Sequence, residues 1–279
     1  MSFHNPVPGP VLDAVLAPAL TGVLLNCFIL VILLALSFCL SYYVLAKILI
    51  KISFAAGLKN AKWVFRFLTF PGLVVHELSH AAGFIISGYR VKAISFGIRN
   101  PDRGGYCEPG DKYISLAVPF VADMITSFAP ALAGSAVLML LLNWVGLRQH
   151  FNLELDSFGN TMLSSAGAVL NIFKTADYND WRTYVFLFLT MSVGVELAPS
   201  RVDVKHALPN IFWGIIILLA LSFICSYNQE LLKLMKIFLQ FVDRIVISVN
   251  TVLTFGIIMT LVAIISFGIL SLPLYMLRK

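Results

Sequence analysis

The residues of this 279-residue chain best placed to do chemistry are two histidines four positions apart with a glutamate beside the first, in His76-Glu77-Leu78-Ser79-His80. On a helix His76 and His80 stand one turn apart on the same face, so two imidazole nitrogens can reach a single ion. Neutral imidazole suits Zn²⁺, which it binds at about 2.0 to 2.1 Å, and Glu77 can take a proton from a water that the metal polarises. That is the apparatus of metal-assisted hydrolysis. A random chain with five histidines and five glutamates would contain the pattern only roughly twice in a thousand tries, which makes it a specific signal. The surrounding segment, from Phe70 to Phe84, is otherwise apolar, and ionisable groups inside an apolar span are costly and usually mark function.

A catalytic zinc normally takes three protein ligands and keeps a fourth position open, so one more ligand must come from elsewhere. Asp123, Glu196, Asp203 and His206 are the candidates that lie in or beside the other apolar segments. Asp123 could instead cap a helix that starts after Pro119, and His206 could face the aqueous interface.

The elements that must position these residues belong in a membrane. Apolar residues make up 59% of the chain and charged residues 12%, against about half and a quarter in soluble domains. Three stretches, Ala14 to Ala46, Ala207 to Gln229 and Ile245 to Leu277, hold no Asp, Glu, Lys or Arg and exceed the roughly 20 residues a helix needs to cross a bilayer. In lipid the backbone must bond to itself, and the period-two alternation of a barrel is absent, so these stretches predict helices. Three further apolar segments, about 67 to 89, 113 to 147 and 183 to 200, carry isolated polar groups and bring the expectation to about six transmembrane helices. The fold class is an all-α integral membrane protein, expected in the cell membrane.

The connections are short. Lys47 to Arg66 reads as a basic amphipathic link, and Val91 to Ile98 as a strand that turns at Asn100 to Gly105 into a second strand near Tyr106, giving a short β-hairpin insert. Ser157 to Phe173 could lie along the interface, and Glu230 to Arg244 reads as an interfacial helix leading into the last span. The net charge of +6 comes from basic residues in these loops, where lipid headgroups attract them, so no nucleic acid partner is expected. Lys and Arg divide almost evenly between the two sides, and no orientation follows. Cys27, Cys39, Cys107 and Cys225 form no close-spaced pair, which argues against a disulfide framework or a cysteine metal site.

These residues resemble the site-2 protease family of intramembrane zinc metalloproteases. That family carries His-Glu-x-x-His on one core helix and, two helices later, an Asn-x-x-Pro segment followed by a Leu-Asp-Gly that gives the third ligand. Here the corresponding segment reads Glu196-Leu197-Ala198-Pro199-Ser200-Arg201-Val202-Asp203. It keeps the proline and a downstream aspartate, with Glu196 in place of Asn, Val202 and Val204 flanking the aspartate, and a spacing about one residue shorter. The resemblance implies Asp203 as third ligand, and Pro199 could aim that carboxylate back toward a partner helix. It also implies that the hairpin edge holds an unwound substrate by strand addition, and Ala129 to Gly134 is similar to the family's small-residue helix.

The resulting expectation has three parts: an N-terminal transmembrane helix and basic connection over 1–64, a catalytic core over 65–210, and C-terminal transmembrane helices over 211–279. His76, His80 and Asp203 hold Zn²⁺, Glu77 is the general base, and the substrate is a membrane-anchored polypeptide. The competing expectations are a non-catalytic metal-binding or scaffold subunit of a membrane complex, and a transporter that uses the same residues as an ion relay.

Overall fold

A computed structural model describes residues 16–49, 51, 61–97, 105–113, 119–147, 167, 169–198 and 200–276. Helix α1 (Ala17–Phe38) has a proline in its first turn and runs on as a π-helical segment, Cys39–Leu49. Helix α2 (Ala61–Ile86) leads into an antiparallel hairpin, β1 (Tyr89–Ser95) and β2 (Tyr106–Lys112). Four more helices follow: α3 (Pro119–Trp144), α4 (Trp181–Glu196), α5 (Arg201–Cys225) and α6 (Gln229–Met276).

The longest pairing joins α1 to α6, and the sequence spacing explains it. Leu232, Met235, Leu239, Val242, Val246, Val249 and Leu253 recur at alternating three- and four-residue steps on α6, and Leu16, Leu20, Val23, Cys27, Leu30 and Leu34 do so on α1. A seam repeating every 3.5 residues keeps one apolar stripe against its partner over many turns, as in a coiled coil. The seam carries a polar layer in which Asn26 Nδ2 donates to Asp243 Oδ1 (2.7 Å) and Asn250 Nδ2 donates to the Asn26 carbonyl (3.0 Å). Because the seam continues from Leu232 onward without a helix breaker, the stretch Glu230 to Arg244 is not a separate interfacial helix. It forms the first part of α6, whose 48 residues span about 72 Å.

Helix α2 lies between α3 and α4, with α4 backed by α6 and α3 by α5. The α2–α4 approach is backbone to backbone. Pro71 lacks the N–H that would continue the helical ladder, and the next amide, Gly72, donates to Ser192 Oγ of α4 at 2.9 Å. A Cβ at Gly72 would run into the Ser192 carbonyl, so only glycine lets the helices close one turn before His76.

Among the described residues, four helices are long and apolar enough to cross a membrane: Ala17–Leu45, Val121–Trp144, Val202–Cys225 and Gln229–Ser266. The other two fall outside that group for different reasons. Helix α4 has 16 residues, about 24 Å, against a hydrocarbon core of roughly 30 Å. Helix α2 is long enough at 26 residues but carries Arg66, His76, Glu77 and His80.

The hairpin begins two residues earlier than the sequence suggests and its first strand ends at Ser95. Most of the turn expected at Asn100 to Gly105 lies outside the described residues, as do most of Ser157 to Phe173 and half of the Lys47 to Arg66 connection. Residues 169–175 are helical.

Candidate metal centre

Three side chains from two distant parts of the chain meet inside the bundle. His76 Nε2 and His80 Nε2 lie 3.1 Å apart, Asp203 Oδ1 is 3.3 Å from His80 Nε2, and Asp203 Oδ2 is 3.6 Å from His76 Nε2. His76 and Asp203 are buried and His80 is nearly so. Ligand bonds of 2.0 to 2.2 Å arranged tetrahedrally place donor atoms about 3.3 to 3.6 Å from one another, so these spacings suit a shared ion. Among the described residues these three alone form such a group, and they could hold a metal ion.

The outer ring nitrogens fix which nitrogens face the centre of the group. His76 Nδ1 faces the Glu196 carbonyl at 2.7 Å and His80 Nδ1 faces the Thr126 carbonyl at 3.0 Å. Carbonyl oxygens only accept, so each Nδ1 carries the hydrogen, and in the neutral ring each Nε2 presents a lone pair. Two lone pairs and a carboxylate pointed at one another in a buried space repel unless a positive charge sits among them. Such outer bonds also fix ring orientation and raise ligand basicity.

Both carbonyls are available for local reasons. Glu196 is the last residue of α4, where helical carbonyls have no ladder partner. Thr126 lies in mid-helix, but its ladder partner would be the N–H of residue 130, and that residue is Pro130. Pro130 therefore frees the oxygen that orients His80. Pro130 was in the sequence, yet nothing there linked residue 126 to residue 80. Counting back four positions from each in-helix proline would have offered Thr126 as a free acceptor.

Asp203 is held by a capping box at the start of α5. Ser200 Oγ accepts from the Asp203 N–H (3.2 Å), and Asp203 Oδ2 accepts from the Ser200 N–H (2.8 Å). The pattern Ser200-x-x-Asp203 signals this directly, and it is the device that aims the carboxylate. Pro199, to which the sequence argument gave that task, lies outside the described residues. Of the other ligand candidates, Glu196 contributes its backbone oxygen, and its side chain lines a different cavity with Arg66. Asp123 is exposed and sits within α3 beyond its first turn, so it does not cap the helix and is not in the ligand group. The His206 side chain lies outside the described residues.

Glu77 is buried on α2 between two cavities. One, of about 440 Å³, is lined by Tyr42, Arg66 and Glu196 as well as His76 and Glu77. The other, of about 380 Å³, is lined by His76, Glu77, His80 and Asp203, with Phe84, Tyr106 and Cys107 on its walls. Gly105, just ahead of β2, presses on Glu77 where the two meet: a Cβ there would lie 2.5 Å from Glu77 Oε1 and 2.8 Å from Leu73 Cδ1. The hairpin thus covers Glu77. Burial, and secondarily the charge of Glu77, pushes the Cys107 thiol up to about 11, and Cys107 is not in the ligand group.

The fold and site define a helical chain with membrane-length helices and a centre able to hold a metal ion. Compared with protein-family models, with curated proteins and with solved structures, the chain matches none.

Proposed function

We propose that this chain is an intramembrane zinc metalloprotease of the site-2 protease type, acting on membrane-anchored polypeptides. The observation that carries the reading is the convergence of His76 Nε2, His80 Nε2 and Asp203 beside Glu77 on the wall of a cavity within an apolar bundle. Two neutral imidazoles and one carboxylate form a donor set that suits Zn²⁺. In this reading α2 and α4 complete a set of six embedded helices in the cell membrane, their polar groups facing the bundle interior and not lipid.

When bound, the ion supplies Lewis acidity that polarises a water and the scissile carbonyl. The protein's own groups do the rest. The Glu196 and Thr126 carbonyls hold the two imidazoles in the tautomer that turns Nε2 inward, and the Ser200 capping box fixes Asp203. Glu77, next to His76, takes a proton from the attacking water and returns it to the leaving amine. The hairpin roof at Gly105 limits bulk water around Glu77, which strengthens the electrostatics of the site.

The test is proteolysis of a single-span reporter in proteoliposomes, with Glu77→Gln as control, alongside the metal content of wild type, His80→Ala and Asp203→Ala. Cleavage by wild type alone, with about one zinc per chain lost in both ligand variants, supports the reading. Zinc without any cleavage that distinguishes wild type from Glu77→Gln refutes it in favour of a non-catalytic metal-binding subunit.

A further inference from the structure

The direction in which each helix runs follows from the order of its contacts. On α1 and α6 the order is the same. A Cβ at Gly22 would lie 3.8 Å from the Asp243 carboxylate, and one turn on, the Asn26 carbonyl accepts from Asn250 Nδ2 (3.0 Å). Further along, Ser41 Oγ donates to the Val195 carbonyl at 3.4 Å, and Val195 shares an apolar cluster with Leu45 and Ala263. Positions 22, 26 and 45 thus meet 243, 250 and 263 in turn, so the two helices are parallel. The bond from Asn26 Nδ2 to Asp243 Oδ1 holds that alignment, because a slipped register would leave a carboxylate among apolar side chains. Helix α4 runs the other way: Gly194 abuts Met259, whereas Leu197, three residues on, abuts Gly256. Helix α2 runs with α4, since Gly72 meets Ser192 and His76 meets Glu196.

Six helices that alternated up and down would place α1 and α6 antiparallel. The parallel pairing requires two consecutive helices to share a direction, and those two are α4 and α5. Asp203, in the first turn of α5, shares a small cavity with Val249 and Leu253 of α6. The last residue of α5, Cys225, is joined to Gln229 by a turn in which the Asn228 N–H donates to the Cys225 carbonyl. Helix α5 therefore descends from near residue 250 of α6 to its start, in the direction that α4 takes toward residue 256. The break between them carries both supports of the metal group, the free Glu196 carbonyl that holds His76 and the Ser200 cap that holds Asp203. Non-helical backbone within a bilayer is tolerated where it lines a cavity, and Ser200 lines both cavities beside Glu77.

We infer that α4 and α5 make one interrupted crossing of the membrane with the metal group at the interruption. The hairpin and the α5–α6 turn then lie on one side, and Lys51, beyond α1, and Asp177, ahead of α4, on the other. The inference stands apart from the proteolytic reading and holds whether or not the chain cleaves peptides. Six separate crossings would put the hairpin and the α5–α6 turn on opposite sides. The test uses protein lacking its four cysteines, with one new cysteine at an exposed position: Lys92→Cys, Glu230→Cys, Lys51→Cys or Asp177→Cys. Each is treated with a membrane-impermeant maleimide in right-side-out and in inverted vesicles. Lys92→Cys and Glu230→Cys label in the same orientation and lose labelling in the other, with Lys51→Cys and Asp177→Cys reversed. Labelling of Glu230→Cys together with Asp177→Cys and opposite to Lys92→Cys overturns the inference, as does labelling of all four in one orientation or in both. A short protease site inserted at the same four positions, read by cleavage from either side, decides the assignment should the cysteine-free protein not fold.

Discussion

Replacing Gly105 with alanine isolates the hairpin's contribution to the site from that of the ligands. The added Cβ would lie 2.5 Å from Glu77 Oε1 and 2.9 Å from Glu77 Cγ, whereas ordinary contact begins at 3.4 Å, so the two must separate by about 0.9 Å. Either Glu77 is pushed from its place beside His76 or the roof lifts and admits water to it, and in the proteolytic reading both slow the reaction. A displacement near 1 Å in a positioned catalytic group costs about 10²-fold in rate, equivalent to about 2.7 kcal/mol in the barrier. Metal content should not change, because no ligand atom comes from the hairpin. The assay is single-turnover cleavage of a membrane-anchored reporter in proteoliposomes, with zinc measured on the same preparation. Gly110→Ala is the control: in the same hairpin its Cβ would meet the Arg90 carbonyl at 3.3 Å, an adjustment of a tenth of an ångström, and the rate should stay within about twofold. A wild-type rate for Gly105→Ala, or a loss of zinc that accounts for the loss of rate, would refute the reasoning.

Other perturbations separate stability from metal binding. Pro130→Ala restores an amide that competes with His80 for the Thr126 carbonyl, so metal affinity should fall about 10- to 100-fold while the metal-free protein becomes about 1 to 3 kcal/mol more stable. Changes of the same sign in a metal titration and a detergent melting curve would count against it. Ser200→Ala removes half of the capping box, and should cost about 1 kcal/mol of stability together with roughly tenfold in metal affinity, whereas Ser200→Thr should keep both. Gly72→Ala drives a methyl into the Ser192 carbonyl and should destabilise the α2–α4 packing by about 3 kcal/mol or more, and an unchanged melting temperature would contradict that.

The sequence by itself determined the parts that depend on short spacing and on solvent. Charge-free runs longer than a bilayer is thick specify membrane-length helices, and His76 with His80 share a helix face because four residues make about one turn. The hairpin was legible in its strand-forming residues, though not its register, which depends on pairing across the turn. The continuity of α6 was also present in its 3.5-residue seam, but charges at Glu230, Lys233 and Lys236 drew the reading toward the interface. Only the tertiary structure decided which partner each polar group meets. It brought Asp203 to the histidines, left Glu196 to serve through its backbone and Asp123 at the cavity wall, and set Gly105 on Glu77. Such choices depend on how helices separated by more than a hundred residues cross, and crossing is set by close approaches such as Gly72 on Ser192, a property of two surfaces together that neither segment encodes alone.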